Sequence, residues 1–96
     1  MLWLVSRDLK HTRKLVTYRN DTTSGISWTP DGRQIAYSAL DGDRMQIFTV
    51  AISGGQPIRI TDGSGNYMHP RVSPDGRWVA FSNMETLAVI RRTRLP

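Results

Sequence analysis

Cysteine is absent from this chain, so it holds no disulfide and no thiolate metal site. That absence fits any redox compartment and selects none. His11 and His69 are the only histidines available to any site. No apolar run approaches the roughly 20 residues that a membrane helix needs. The opening Met1-Leu2-Trp3-Leu4-Val5-Ser6-Arg7 has too short an apolar stretch for a secretory leader, and no basic residues precede it. Taken as a complete chain, the protein is expected in the cytoplasm. The Gly-x-Ser-x-Gly elbow, the phosphate loop and the dinucleotide fingerprint are missing too, so the motifs of hydrolases and nucleotide enzymes are not here. Gly63-Ser64-Gly65 is followed by neither a Lys-Ser/Thr pair nor a helical pattern and reads as a flexible connection.

Acidic residues are few. Eight Asp and Glu stand against 13 Lys and Arg, a net charge of +5 in 96 residues. Such a balance admits nucleic acid or another polyanion as partner. Arg33 and Arg77 recur with a sequence period, however, which suits a repeat scaffold better than a surface that reads bases. Only Arg91-Arg92-Thr93-Arg94 forms a cluster, so nucleic acid is not the expected partner. Apolar residues make up 39% and charged residues 22%, the balance of a folded chain rather than a disordered one.

What is present is a repeat. Trp28-Thr29-Pro30-Asp31-Gly32-Arg33-Gln34-Ile35-Ala36-Tyr37-Ser38 returns 44 residues later as Val72-Ser73-Pro74-Asp75-Gly76-Arg77-Trp78-Val79-Ala80-Phe81-Ser82. A fixed period of this size sets the architecture. Each Pro-Asp-Gly is a turn signal: proline presets the first corner, Asp bonds the backbone after it, and Gly accepts positive φ. Each turn joins two short apolar strands, a and b. Strands c and d follow as Gln46–Ile52 and Ile58–Thr61 around Gly54-Gly55, and earlier as Leu2–Val5 and Lys14–Tyr18. Four antiparallel strands in about 44 residues is the size of one propeller blade. Strands b and c are apolar on both sides, which fits blades stacked face to face. Residues 1–24 read as a partial blade of strands c and d, 25–68 as a full blade, and 69–96 as a partial blade of strands a and b. The segment Leu87–Arg92 reads as a further c strand in preference to a short helix starting at Glu85.

This pattern, Trp-(Ser/Thr)-Pro-Asp-Gly-Arg followed by the Ala-aromatic-Ser strand and by Gly54-Gly55-x-Pro57-x-Arg59-Ile60-Thr61, resembles the TolB-type β-propeller repeat over residues 2 to about 90. The departures are Val72 in place of the tryptophan seen at Trp28, and degeneration of the pattern after Ser82. The resemblance implies an all-β fold of about two blades, serving as a non-catalytic scaffold that binds a protein or a small ligand. It implies no catalytic residue and no cofactor. The alternative is a fragment of a larger propeller protein, either the gating domain of a serine peptidase or a TolB-like periplasmic protein, with a periplasmic location in the latter case.

Two blades cannot close a ring, and bare apolar blade faces drive association. The expectation is head-to-tail self-assembly, with three copies giving six blades or four giving eight. The c–d pair of one copy would extend the a–b pair of the next. Leu2, Trp3, Leu4, Val5, Val79 and Phe81 are the expected interface. Tyr67, His69 and Arg71, around the start of a strand that would line the central channel, are the expected ligand contacts. His11 and the carboxylates Asp31 and Asp75 read as turn residues. Asp41-Gly42-Asp43 has too few oxygens for a calcium loop, so no metal is expected. Asn20-Asp21-Thr22 matches a glycosylation sequon, which matters only in a secreted eukaryotic protein.

Overall fold

A computed structural model describes residues 1–17, 23–84 and 89–95. The sequon at Asn20 and the first two residues of the expected Leu87–Arg92 strand lie outside them. The described residues form nine strands: β1 (Leu2–Val5), β2 (Thr12–Val16), β3 (Thr23–Trp28), β4 (Gln34–Asp41), β5 (Arg44–Ala51), β6 (Ile58–Arg59), β7 (Tyr67–Val72), β8 (Trp78–Asn83) and β9 (Val89–Arg94). They make three antiparallel sheets, ordered β1-β2, β3-β4-β5-β6 and β7-β8-β9. The all-β propeller-blade reading holds. The C-terminal segment is a strand, paired with β8 from Trp78↔Arg94 to Asn83↔Val89. Strand β3 begins two residues before the expected start at Gly25, and β7 three before the expected start at Pro70.

The sheets stack because the central one is apolar on both faces. On one face Ile35, Tyr37, Ala39 and Val50 are buried with Leu2 and Val16 of the first sheet. On the other, Ile47 is buried with Tyr67, Val79 and Phe81 of the third. Each Val, Leu, Ile or Phe among them stabilises the stack by about 1.5–3 kcal/mol when fully buried. Tyr37 stacks on Phe48 at 5.6 Å, and Tyr67 meets Phe81 edge to face at 5.1 Å. Polar groups tie the layers as well. Ser38 Oγ donates to the Tyr67 carbonyl at 2.7 Å, and the Val72 N–H donates to Ser27 Oγ at 3.0 Å.

Two Pro-Asp-Gly turns close the hairpins β3–β4 and β7–β8 in the same way. The Thr29 hydroxyl donates to Asp31 at 2.6 Å, and Ser73 does so to Asp75 at 2.5 Å. Each carboxylate also accepts an N–H two residues on, from Arg33 and from Arg77, both at 3.0 Å. A third copy of this bracket closes β1–β2, where the sequence shows only a polar stretch. Ser6 donates to Asp8 at 2.6 Å, and the N–H of Lys10 donates to the same carboxylate at 3.0 Å. These first-named hydroxyl bonds, then the backbone ones, hold all three carboxyls below the usual aspartate range.

One expectation about assembly is corrected here. Extending β7–β8 of one copy with β1–β2 of another requires the free edge of β8, and β9 already occupies it.

Candidate functional site

Both strands β3 and β7 carry a bulge, between Thr23 and Ile26 and between Met68 and Arg71. A bulge holds one extra residue and bends its strand. In each, one residue takes a positive φ: Gly25 at 107° and His69 at 57°, 44 residues apart. The two bulges meet. A Cβ on Gly25 would sit 3.4 Å from His69 Cα and 3.5 Å from Pro70 Cδ, ordinary contact distances, so it is the φ of 107° that favours glycine here.

A hollow of about 390 Å³ opens at this meeting point, lined by Gly25, Ile26, His69, Pro70 and Arg71. His69 and Arg71 are exposed. The guanidinium presents a planar fork that suits a carboxylate or another paired acceptor. The lining thus combines an imidazole, a guanidinium and apolar surface.

Of the three expected ligand contacts, the structure brings His69 and Arg71 together here and takes Tyr67 away. Tyr67 is 2% exposed; its ring lies against Phe81, and its hydroxyl donates to Asp62 at 2.8 Å and lies 3.1 Å from Ser64 Oγ. It ties down the loop before β7. A residue that sequence reading passed over does the same work from the neighbouring sheet. Gln46 is buried; its Oε1 accepts from Thr61 Oγ1 at 2.6 Å and from the Gly63 N–H at 3.1 Å, while its Nε2 donates to the Gly65 carbonyl at 2.9 Å. A polar residue in the middle of the apolar strand Met45-Gln46-Ile47 was the available signal.

The expected interface residues divide. Leu2, Val79 and Phe81 are buried within the chain, and Leu4 packs against the cluster that holds Leu2, because these residues hold the chain's own sheets together. Trp3 is 51% exposed, with Lys14 Nζ 5.7 Å from its ring centre, and Val5 is exposed as well. They stand on the outer side of the first sheet. Ile26 and Trp28 of the central sheet are half-exposed too, Trp28 at 51%. A hollow of about 490 Å³ runs between Leu4, Val5, Thr12, Arg13 and Trp28. At the opposite end Trp78 of β8 is 36% exposed.

The remaining candidates take structural places. Asp41 pairs with Arg59 at 3.0 Å and closes the β4–β5 turn opposite Arg44. His11 lies 4.0 Å from Asp8 in an exposed turn. Among the described residues no group of three His, Cys, Asp or Glu side chains could hold a metal ion. Arg94 is exposed at the end of β9.

Comparisons with known proteins place this geometry. No family model matches the chain. An uncharacterised protein of Agrobacterium fabrum is 36% identical over 75 residues, covering 78% of this chain and 25% of that protein. The Tol-Pal system protein TolB of Francisella tularensis subsp. tularensis is 41% identical over 56 residues, or 58% of this chain and 13% of TolB. A solved structure assigned as TolB from Agrobacterium tumefaciens superposes with a TM-score of 0.74 at 30% identity, covering 86% of this chain and 30% of that one. The chain therefore spans a quarter or less of the length of these two curated relatives.

Proposed function

We propose that this chain, a run of TolB-like β-propeller repeats, is a non-catalytic binding scaffold that works inside a closed propeller. The observation that carries the reading is exposed apolar surface on the sheets: Trp3 and Val5 on the outer side of the first, Trp78 on the third, and Ile26 and Trp28 on the central sheet's face toward the first. Both covered faces in the chain are sheet-on-sheet contacts of the same kind. Another blade is the natural cover for an apolar blade face. Further copies, stacked head to tail through faces rather than edges, supply such blades and close the ring if the angle between them allows. Three copies give six blades and four give eight. The ligand site of the assembled scaffold is the hollow at His69 and Arg71, which takes an acceptor-bearing group of a protein or a small molecule. Catalysis has no place in this reading, since the hollow offers no nucleophile–base pair.

The short span relative to the relatives favours a second reading, in which the same faces are covered by further blades of a longer TolB-like polypeptide. Light scattering on a gel-filtration peak separates the two. The 10.9 kDa chain should run as a discrete trimer or tetramer if copies complete the ring. A monomer or a polydisperse aggregate refutes self-completion and leaves the longer polypeptide as the source of the other blades.

A further inference from the structure

The chain holds four Asp-Gly pairs: Asp31-Gly32, Asp41-Gly42, Asp62-Gly63 and Asp75-Gly76. Such pairs are prone to isomerise, because glycine has no Cβ to shield its backbone nitrogen. That nitrogen attacks Cγ of the protonated Asp carboxyl. A C–N bond forms, the Cγ–OH bond breaks, and the hydroxyl leaves as water with the proton from nitrogen. A five-membered succinimide results. Water then opens the ring. Addition at Cγ restores Asp. Addition at the former main-chain carbonyl gives isoaspartate, with the chain running through Cβ and Cγ and a new carboxylate beside it. One water leaves and one enters, and nothing is oxidised or reduced.

Three of the four pairs are held at both reacting groups. The Asp31 carboxylate accepts from the Thr29 hydroxyl and the Arg33 N–H, while the Gly32 N–H donates to the Thr29 carbonyl at 2.9 Å. Asp75 repeats this with Ser73 and Arg77, and the Gly76 N–H donates to the Ser73 carbonyl at 2.9 Å. The hydroxyl bonds first, then the backbone ones, also hold these two carboxyls below the usual range, away from the protonated form that loses water. The Asp62 carboxylate accepts from the Tyr67 hydroxyl at 2.8 Å and the Ser64 N–H at 2.9 Å, and the Gly63 N–H donates to Gln46 Oε1 at 3.1 Å. In each pair the ring closes only after these bonds break.

Asp41-Gly42 is different. Asp41 ends β4 and Arg44 begins β5, so Gly42 and Asp43 form a two-residue hairpin turn, and Asp41, Gly42 and Asp43 are all exposed. Among the described residues the Gly42 N–H meets no acceptor. A Cβ on Gly42 would have no heavy atom within 4 Å, so a ring has room to form. The carboxylate pairs with Arg59 at 3.0 Å, but the two side chains are 47% and 44% exposed, and such a pair holds weakly. We infer that Asp41-Gly42 is a modification site, where the folded chain isomerises to isoaspartate ahead of its other three Asp-Gly pairs. The product adds a carbon to the main chain of a turn whose length sets the β4–β5 register.

The test ages the intact chain in mildly acidic buffer and cuts it with trypsin. Cleavage after arginine puts the four pairs on separate peptides, residues 20–33, 34–44, 60–71 and 72–77. Isoaspartate is read by chromatographic separation of equal-mass isomers and by methylation with an isoaspartyl methyltransferase and S-adenosylmethionine. Peptide 34–44 should gain isoaspartate about tenfold or more faster than the other three, the weight of one or two hydrogen bonds. In urea the four should react at similar rates. Arg59→Ala, which removes the carboxylate's partner, should speed the reaction in 34–44 of the folded chain. Equal rates in the folded chain, a lead by another peptide, a lead of 34–44 undiminished in urea, or a rate that Arg59→Ala leaves unchanged overturns the inference. So does a folded chain whose 34–44 stays intact while the urea sample isomerises. Should the variant fail to fold, the four peptides of the unaltered chain still decide.

Discussion

Leu9 has a φ of 65°, while its counterparts in the other two bracketed turns, Gly32 and Gly76, take 72° and 75°. A leucine in the left-handed region sets its Cβ against the following carbonyl. Its side chain is 78% exposed and contributes little packing in return. Leu9→Gly should therefore stabilise the chain by about 1 kcal/mol, net of the extra freedom glycine brings to the unfolded state, seen as a higher urea midpoint at unchanged slope. The same leucine explains why the first turn, though its polar residues mark it as a turn, does not show its kinship with the other two in the sequence. Ser6-Arg7-Asp8 lacks the Pro-Asp-Gly signature, and the bracket is recognisable only once Ser6 and Asp8 are seen to bond as Thr29 and Asp31 do. The three aspartates also set a pH response. Their carboxyls titrate below the ordinary 3.8 in the folded chain. A depressed folded value adds stability that is complete above the unfolded value and is lost as pH falls through the folded one. The melting temperature should thus fall below about pH 4 as these groups protonate. Ser73→Ala removes the strongest of the bonds on Asp75 and should move its carboxyl resonance in an NMR titration back toward the ordinary value.

Strands and turns came through the sequence well, connections less so. The 44-residue offset between Pro30 and Pro74 located β4 and β8, and β-branched residues at Val89 and Ile90 marked β9 as a strand. The start of β7 lies three residues before the Pro70 that the sequence suggests, because Tyr67, Met68 and His69 follow a Gly-Ser-Gly run that resembles loop. Its beginning is set by tertiary partners: Tyr67 lies opposite Asn83, and its hydroxyl reaches back five residues to Asp62. Gln46 is the test of this tethering. Gln46→Leu keeps the volume but leaves the Gly63 N–H and the Gly65 carbonyl without their partner. It should destabilise the chain by about 1–3 kcal/mol. Hydrogen exchange should show protection lost first across residues 61–67, with the β1–β2 sheet unaffected.

For the whole molecule, the candidate site was only partly legible. His69 and Arg71 were nameable because they flank a strand start. That Tyr67 would turn inward, and that Gly25 would come from the neighbouring sheet to complete the hollow, depends on how two bulges meet in space. For Leu2, Val79 and Phe81 the interface expectation is overturned for a similar reason. Periodicity reports that Leu2, Val79 and Phe81 are apolar but not which neighbour they cover, and their neighbours proved to be in the same chain. An exposed residue outside that set gives a test. Trp28 stands half-bare on the central sheet, so Trp28→Arg should leave stability within about 1 kcal/mol while abolishing any trimer or tetramer seen by light scattering.

The seating of β9 bears on kinetics as well as geometry. Two molecules that tried to interlock by trading borders would first have to peel a six-residue ribbon off β8. That opening happens within one molecule, so its frequency is indifferent to how crowded the solution is. Any intertwined species should accumulate after a lag that concentration does not shorten, whereas simple stacking should track concentration from the first moment.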